Sequence, residues 1–411
     1  MRAGPQLPIV EAHNREASLG RGAGATPTDT IMTFDELETP ALLLDRAKME
    51  RNIARMTARF AQLSVTFRPH LKTCKSIDVA RRHFASADGS NTGPVTVSTL
   101  KEADYFFGHG FTDILYAVGI AQNKLKHVAE LRARGCDLKI ILDNRESAEA
   151  VAAFVHTSGK PIPALIEIDS DDHRAGVKPD ADVLIEIGRV LADAASLAGV
   201  MTHAGESYNC NPIDAIRAMA EQERARTVRA ATRLRAAGLP CAIVSVGSTP
   251  TATYAEHFDG VTEVRAGVFV FFDLVMAGIN VCTVDDIALS VLATVIGHQH
   301  EKGWLIIDAG WMAMSRDRGT AKQPVDQGYG LVCDEVGVPL DGLIMSDANQ
   351  EHGIVSHRSG DASKTPMLAV GTRLRILPNH ACATGAQHGR YHLVTGRETA
   401  VEALWERFSG W

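Results

Sequence analysis

At 411 residues the chain is too long for one small hydrophobic core and suits two domains. Hydrophobic content of 45% with 22% charge is that of a soluble globular protein, and a net charge of −7 excludes a general nucleic-acid binder, which would be basic. No apolar run reaches the length of a membrane span, and an odd seven cysteines spread through a long chain fit free thiols in a reducing cytoplasm better than a disulfide framework.

Residues 1–31 are rich in Gly, Ala, Pro and Thr, keep no apolar period and hold no hydrophobic stretch of the kind a secretory signal needs. They read as a flexible leader, as an arm lying on a neighbouring subunit, or as the result of a start codon assigned ahead of Met32. The organisation predicted is a flexible extension over 1–36, a β/α barrel over 37–282 and a β-rich domain over 283–411.

Ala41-Leu42-Leu43-Leu44 reads as a strand, and Asp45 after it is a good helix N-cap. Met49, Ile53, Met56 and Phe60 then recur at helical spacing. Eight strand-like runs follow, at 65–68, 95–99, 113–118, 138–142, 164–168, 199–203, 242–246 and 262–265. Helical patterns such as 123–134, 181–194 and 212–237 lie between them. Alternation of this kind predicts a parallel sheet covered by helices, and eight units predict a closed TIM-type barrel. An open doubly wound sheet is the alternative, but no Gly-x-Gly-x-x-Gly follows the first strand. After about residue 281 helical periodicity becomes sparse. Strand-like runs at 287–299, 304–308 and 374–377 predict a β-rich domain.

Three segments carry chemistry. Arg68-Pro69-His70-Leu71-Lys72-Thr73-Cys74-Lys75 sets Lys72 just past the first barrel strand, beside buried chain. An amine there can lose its proton and form a Schiff base with an aldehyde cofactor; the plain alternative is a pair of solvated lysines. Gly247-Ser248-Thr249-Pro250-Thr251 follows the seventh strand, and Gly267-Val268 follows the eighth. Barrel enzymes often bind phosphate in those two loops, although Gly-Ser-Thr-Pro is also ordinary turn chemistry. His380-Ala381-Cys382 follows a run at 373–377. On extended backbone, residues i and i+2 share a side, so an imidazole and a thiolate would reach one Zn²⁺. Two ligands leave open positions and suit a catalytic ion; a buried free cysteine in a core is the plain alternative.

The Arg-Pro-His-Leu-Lys-Thr-x-Lys segment resembles the pyridoxal-phosphate lysine motif of the D-serine dehydratase and D-threonine aldolase family. The likeness runs from about Thr39-Pro40 to the C-terminus, through segments such as Val97-Ser98-Thr99-Leu100-Lys101-Glu102-Ala103 and Pro378-Asn379-His380-Ala381-Cys382. It implies an alanine-racemase type of barrel, with Lys72 as the lysine bonded to pyridoxal 5'-phosphate. It also implies His203 beside the cofactor, Arg265 at the pyridine nitrogen, Arg174 at the ring hydroxyl and Tyr208 at the ring edge. The family's dehydratases carry His-x-Cys as the metal pair and its aldolases His-x-Asp. Cys382 therefore implies a dehydratase, with His352 as a second group near the metal.

The reaction so implied is loss of water from a D-3-hydroxy amino acid, D-threo-3-hydroxyaspartate ahead of D-serine, to give a 2-oxo acid and ammonia. A β-carboxylate needs an extra cation, for which His173, Arg316, Arg318 and His352 are candidates. Retro-aldol cleavage, racemisation and a non-catalytic pyridoxal-phosphate carrier are the alternatives. Barrels of this type commonly form head-to-tail homodimers, so a homodimer acting on a small molecule is expected.

Overall fold

Eight short parallel strands ring a common axis in the computed structural model, which describes residues 32–84 and 89–411. They are Thr66–Pro69, Val95–Val97, Asp113–Gly119, Asp137–Leu142, Ala164–Ile168, Leu197–Thr202, Ile243–Val246 and Glu263–Ala266. The eighth pairs with the first, Arg265 opposite Arg68. First and second meet in one bridge, His70 to Thr96, and Leu71 N donates to Thr96 O at 2.9 Å. The seam thus closes at the C-terminal mouth, beside Lys72. The predicted barrel is the observed one.

The helices form where the apolar stripes predict them. Arg46–Gln62 starts on the Asp45 side chain, which accepts Lys48 N at 3.0 Å, and buries Met49, Ile53, Met56 and Phe60. The other three helical patterns become Leu125–Ala133, Val183–Asp193 and Ile213–Ala236. The inward face of the last is small and apolar apart from Thr227 and Glu223.

The barrel interior is divided. Leu115, Ile141, Leu165 and Met201 fill one part. Elsewhere buried Arg68 donates from Nε to Glu263 at 2.8 Å and from both terminal nitrogens to Asp113, at 2.8 and 3.1 Å. Lys139 adds a contact to Asp113 at 2.9 Å. Paired in this way, the charges tie the first, third, fourth and eighth strands together.

The C-terminal region is β-rich, as predicted. Leu289–Gln299, Trp304–Ile307, Gly353–His357, Pro339–Ala348, Gly330–Cys333 and Arg373–Pro378 pair in that order, and the last returns to the first. Leu289–Gln299 also pairs with Ala41–Asp45, which continues to Arg390–Val394 and Ala403–Glu406. The run at 41–44 therefore belongs to this second sheet and not to the barrel's alternation. All five residues of that strand are buried, because both its faces are covered. Leu42 and Leu44 join the main core, while Ala41 and Leu43 pack with Phe34, Leu37 and Val401. A strand covered on both sides shows no alternation, so its sequence does not reveal its sheet. Of the extension expected over 1–36, residues 1–31 lie outside the described residues; Met32–Thr33 pair with Ala400–Val401.

Removing one partner of a buried ion pair leaves the other charge uncompensated. Arg68→Ala is expected to cost about 3–5 kcal/mol, read as a lowered unfolding midpoint in urea.

Candidate active site

Lys72 sits in a loop fixed from several sides. His70 N donates to Ala266 O at 2.8 Å, the Tyr391 hydroxyl donates to Cys74 O at 2.7 Å, and Phe408 N donates to Lys75 O at 3.1 Å. Lys75 is committed elsewhere: its Nζ lies 3.1 Å from the fully buried carboxylate of Glu102. Lys72 instead lines a cavity of about 680 Å³ at the C-terminal ends of the barrel strands. Sequence reasoning set Lys72 just past the first barrel strand, beside buried chain. It is exposed, and the buried positions are its neighbours Leu71 and Thr73. The loop turns the lysine outward while its flanks pack.

Gly247, Ser248, Thr249, Gly267 and Val268 also line the cavity. Gly247 has φ +125°, and a Cβ there would lie 2.2 Å from the Arg265 carbonyl oxygen. Ser248 caps the short helix Thr249–Tyr254, whose first amides have no partner within the helix. Beneath this loop lies Glu223, which the sequence reading missed. Its Oε1 accepts Gly247 N and Ala204 N, each at 3.0 Å, so it fixes the loops after the sixth and seventh strands together. Burial raises the Glu223 carboxyl above its ordinary range. A lone glutamate on a small-residue helical stripe was the available signal.

Arg265, His203, Tyr208, Arg174 and His70 share the lining. Arg265 is buried; its Nε donates to Ser245 Oγ at 2.8 Å and its Nη2 to Thr202 O. Burial, reinforced by Lys72 and Arg265, brings His203 down to about 3 and holds His70 well below the usual histidine range. Both rings are therefore neutral. His70 stands in the quoted motif but had been given no role. Tyr208 is held as a phenol, chiefly by burial. Arg174 is more exposed and only loosely paired, 3.7 Å from Glu167.

His380 and Cys382 line the same cavity. Their backbone differs from expectation. Only His380 is extended (φ −137°, ψ 105°); it is the N-cap of the short helix Ala381–Gly385, and Cys382 lies in its first turn. The two side chains converge through this strand-to-helix bend rather than through period-two alternation. Burial opposes charge on both, but the hydrogen bond and charge between them prevail. The Cys382 thiol falls below its usual range, and His380, also bonded to Asp317, rises to about 11. Cys382 Sγ lies 3.1 Å from Thr73 Oγ1, one residue from Lys72.

Asp317 and Asp273 also face the cavity, and neither was anticipated. Asp317 Oδ2 is 2.7 Å from His380 Nδ1. Asp273 accepts Met276 N on one oxygen and Ala381 N on the other, each at 3.0 Å. Four expected cations do not line the cavity. His352 lies in an exposed turn and His173 pairs with Glu206 at 3.3 Å. Arg316 stacks on Trp311, and Arg318 stacks on Tyr329 and pairs with Asp326 at 2.8 Å. Each is held by a partner outside the cavity or points to solvent.

These donors suit a phosphate-bearing pyridine aldehyde. They comprise glycine and helix-start amides, a lysine amine, a fixed guanidinium and uncharged rings. The imidazole–thiolate pair suits a borderline-soft divalent ion. No group of three or more His, Cys, Asp or Glu forms a closed metal cage among the described residues, so such a site would be open to substrate.

A parallel barrel with this cavity at its mouth and a β-rich second domain defines an alanine-racemase-like pyridoxal-phosphate enzyme. Residues 44–275 match the alanine racemase N-terminal domain, and 288–394 the putative serine dehydratase domain. The D-threo-3-hydroxyaspartate dehydratase of Delftia sp. (strain HT23) is 54% identical over 93% of this chain and 100% of that protein. Its solved structure superimposes with a TM-score of 0.87 over 92% of this chain and 100% of that one. The D-serine dehydratase of Dictyostelium discoideum is 28% identical, covering 90% of this chain and 97% of its own. The D-threonine aldolase of Arthrobacter sp. is 30% identical, covering 93% and 94%. A cysteine-to-alanine variant of a D-threo-3-hydroxyaspartate dehydratase has been solved in a metal-free form, with a TM-score of 0.87, 53% identity and coverage of 92% of this chain and 100% of that one. The chain belongs to the D-serine dehydratase and D-threonine aldolase family.

A side chain at position 247 has no room against the Arg265 backbone. Gly247→Ala is expected to lower the melting temperature and to leave less cofactor bound after dialysis, measured by absorbance.

Proposed function

We propose that the protein is a pyridoxal-phosphate- and divalent-metal-dependent dehydratase, an ammonia-lyase for D-3-hydroxy amino acids. Its preferred substrate on this reading is D-threo-3-hydroxyaspartate, converted to oxaloacetate and ammonia. The observation that carries the reading is that Lys72 and the His380/Cys382 pair open onto one cavity, joined by the Thr73–Cys382 contact at 3.1 Å.

When bound, the pyridine ring draws charge from Cα and the divalent ion polarises the β-hydroxyl, otherwise a poor leaving group. The rest is the work of the chain. Gly247, Ser248, Thr249, Gly267 and Val268 bind the phosphate. Arg265, locked on Ser245 and Thr202, would offer a fixed positive charge to the ring nitrogen, which would disfavour its protonation. His203 and Tyr208 border the ring without adding charge. Lys72 Nζ takes the Cα proton as general base. His380 and Cys382 hold the metal, His380 through Nε2 because Nδ1 is engaged by Asp317. Arg174, loosely paired, is the lining cation best able to meet an additional substrate carboxylate or the ring hydroxyl.

The thiolate at 382 favours elimination over carbon–carbon cleavage, since the resemblance gives the aldolases an aspartate there. D-Serine would follow the same route to pyruvate. A homodimeric enzyme of the cytoplasm belongs to the same reading, supported for the compartment by seven cysteines that are all free.

The decisive experiment is ammonia release from a panel of D- and L-3-hydroxy amino acids, with and without Zn²⁺. D-threo-3-hydroxyaspartate should react fastest, EDTA should abolish turnover while the cofactor absorbance persists, and Lys72→Ala should lose both. Glyoxylate or an aldehyde in place of ammonia would identify an aldolase.

The metal pair makes a further prediction. The pairing lowers the Cys382 thiol from its usual range and raises His380 to about 11, so at neutral pH a metal must displace the His380 proton. Zn²⁺ uptake should therefore release at least one proton per ion and weaken as the pH falls. Calorimetry in buffers of different ionisation enthalpy measures it.

A further inference from the structure

We infer that Asp317 is the positioning residue that aims His380 at the metal, and that the loop carrying it is built for that task. The inference rests on the reading of His380 and Cys382 as metal ligands.

An ionised carboxylate only accepts hydrogen bonds. Asp317 Oδ2, 2.7 Å from His380 Nδ1, therefore fixes the tautomer with the proton on Nδ1. Once the second ring proton is displaced, the lone pair lies on Nε2, the atom available to an ion in the cavity that His380 lines. A carboxylate on the far nitrogen also orients the ring and makes the ligating nitrogen a stronger donor.

The surroundings show that this contact is held from both sides. Asp317 Oδ1 accepts Gly319 N at 2.8 Å, so the carboxylate cannot swing freely. Asn379, buried and next to His380 in the chain, donates to Asp317 O at 3.1 Å and to Gly328 O at 2.7 Å. Its own oxygen accepts the Thr320 hydroxyl at 3.0 Å, and Thr320 accepts Gln327 N at 3.1 Å. One buried amide thus sets the position of the ring, through the chain, and of the carboxylate, through its backbone. An incidental ion pair on a surface loop has no such frame. Arg316 and Arg318, the flanking residues, stack on Trp311 and Tyr329 and leave Asp317 alone facing the cavity.

The test uses the pyridoxal-phosphate-loaded enzyme stripped of metal with EDTA and titrated with Zn²⁺ by calorimetry. Asp317→Ala should bind Zn²⁺ about 10–100-fold more weakly than the wild type. Asp317→Asn, whose amide oxygen still accepts the Nδ1 proton without a charge, should fall between the two. Cofactor absorbance should be the same in all three, and saturating Zn²⁺ should restore most of the turnover. Should the alanine variant misfold by circular dichroism, the isosteric asparagine variant carries the comparison. Zn²⁺ affinity within twofold of a wild type that binds normally, in every folded variant, overturns the role of Asp317 alone. A wild type that takes up no Zn²⁺ overturns the metal reading with it.

Discussion

The two halves of the active site are brought together by one buried carboxylate. Asp273 caps the helix Leu274–Gly278 on the barrel side with one oxygen, and with the other it accepts the amide of Ala381, between the two residues of the imidazole–thiolate pair. A carboxylate so deeply buried is costly unless its oxygens are satisfied, and here each has a backbone donor. The barrel supplies the lysine and the glycine-rich loops; the second domain supplies the thiolate and its histidine. Their relative placement depends on short polar contacts at this seam, with Thr73–Cys382 a second and Tyr391–Cys74 a third.

Around that seam the cavity is lined both by the glycine-bearing loops of the barrel and by the His380/Cys382 pair. Burial and neighbouring charges set the protonation of several lining groups. His70 and His203 stay neutral where a further positive charge would crowd Lys72 and Arg265. Cys382 is driven the other way, because its neighbour's charge outweighs the cost of burying a thiolate. Glu223 lies under the loop that would meet a dianion, yet its oxygen is occupied by two backbone amides. It therefore acts as a fastener for the loop.

Much of this was legible in the sequence, for identifiable reasons. Parallel barrels announce themselves by alternation, and the eight strands and the helical stripes at Met49–Phe60 and 212–237 carried that signal. The lining residues Lys72, Arg265 and Cys382 could be named because motif and family likeness fix them locally. Residues acting across long separations could not be read. Asp317 meets His380 from 63 positions away, and Glu223 serves Gly247 from inside a helix. The cations nominated for a substrate carboxylate failed for a related reason. Sequence shows that Arg316 and Arg318 are available cations but not that aromatic rings claim them. The bend at His380–Cys382 was missed because a two-residue spacing reads the same in a strand as across the start of a helix.

The strand Ala41–Asp45 lies inside the C-terminal sheet, between Leu289–Gln299 and Arg390–Val394, although nearly the whole barrel separates it from them in the chain. During synthesis this all-buried segment emerges ahead of the barrel and has no sheet partners until Leu289–Gln299 follows. The barrel alone, cut at its apparent end, would expose a bare hydrophobic ribbon at its leading edge. The second sheet, expressed alone, would lack a middle. Division of labour in the active site is thus matched by a stitched chain path that makes neither half a free-standing unit.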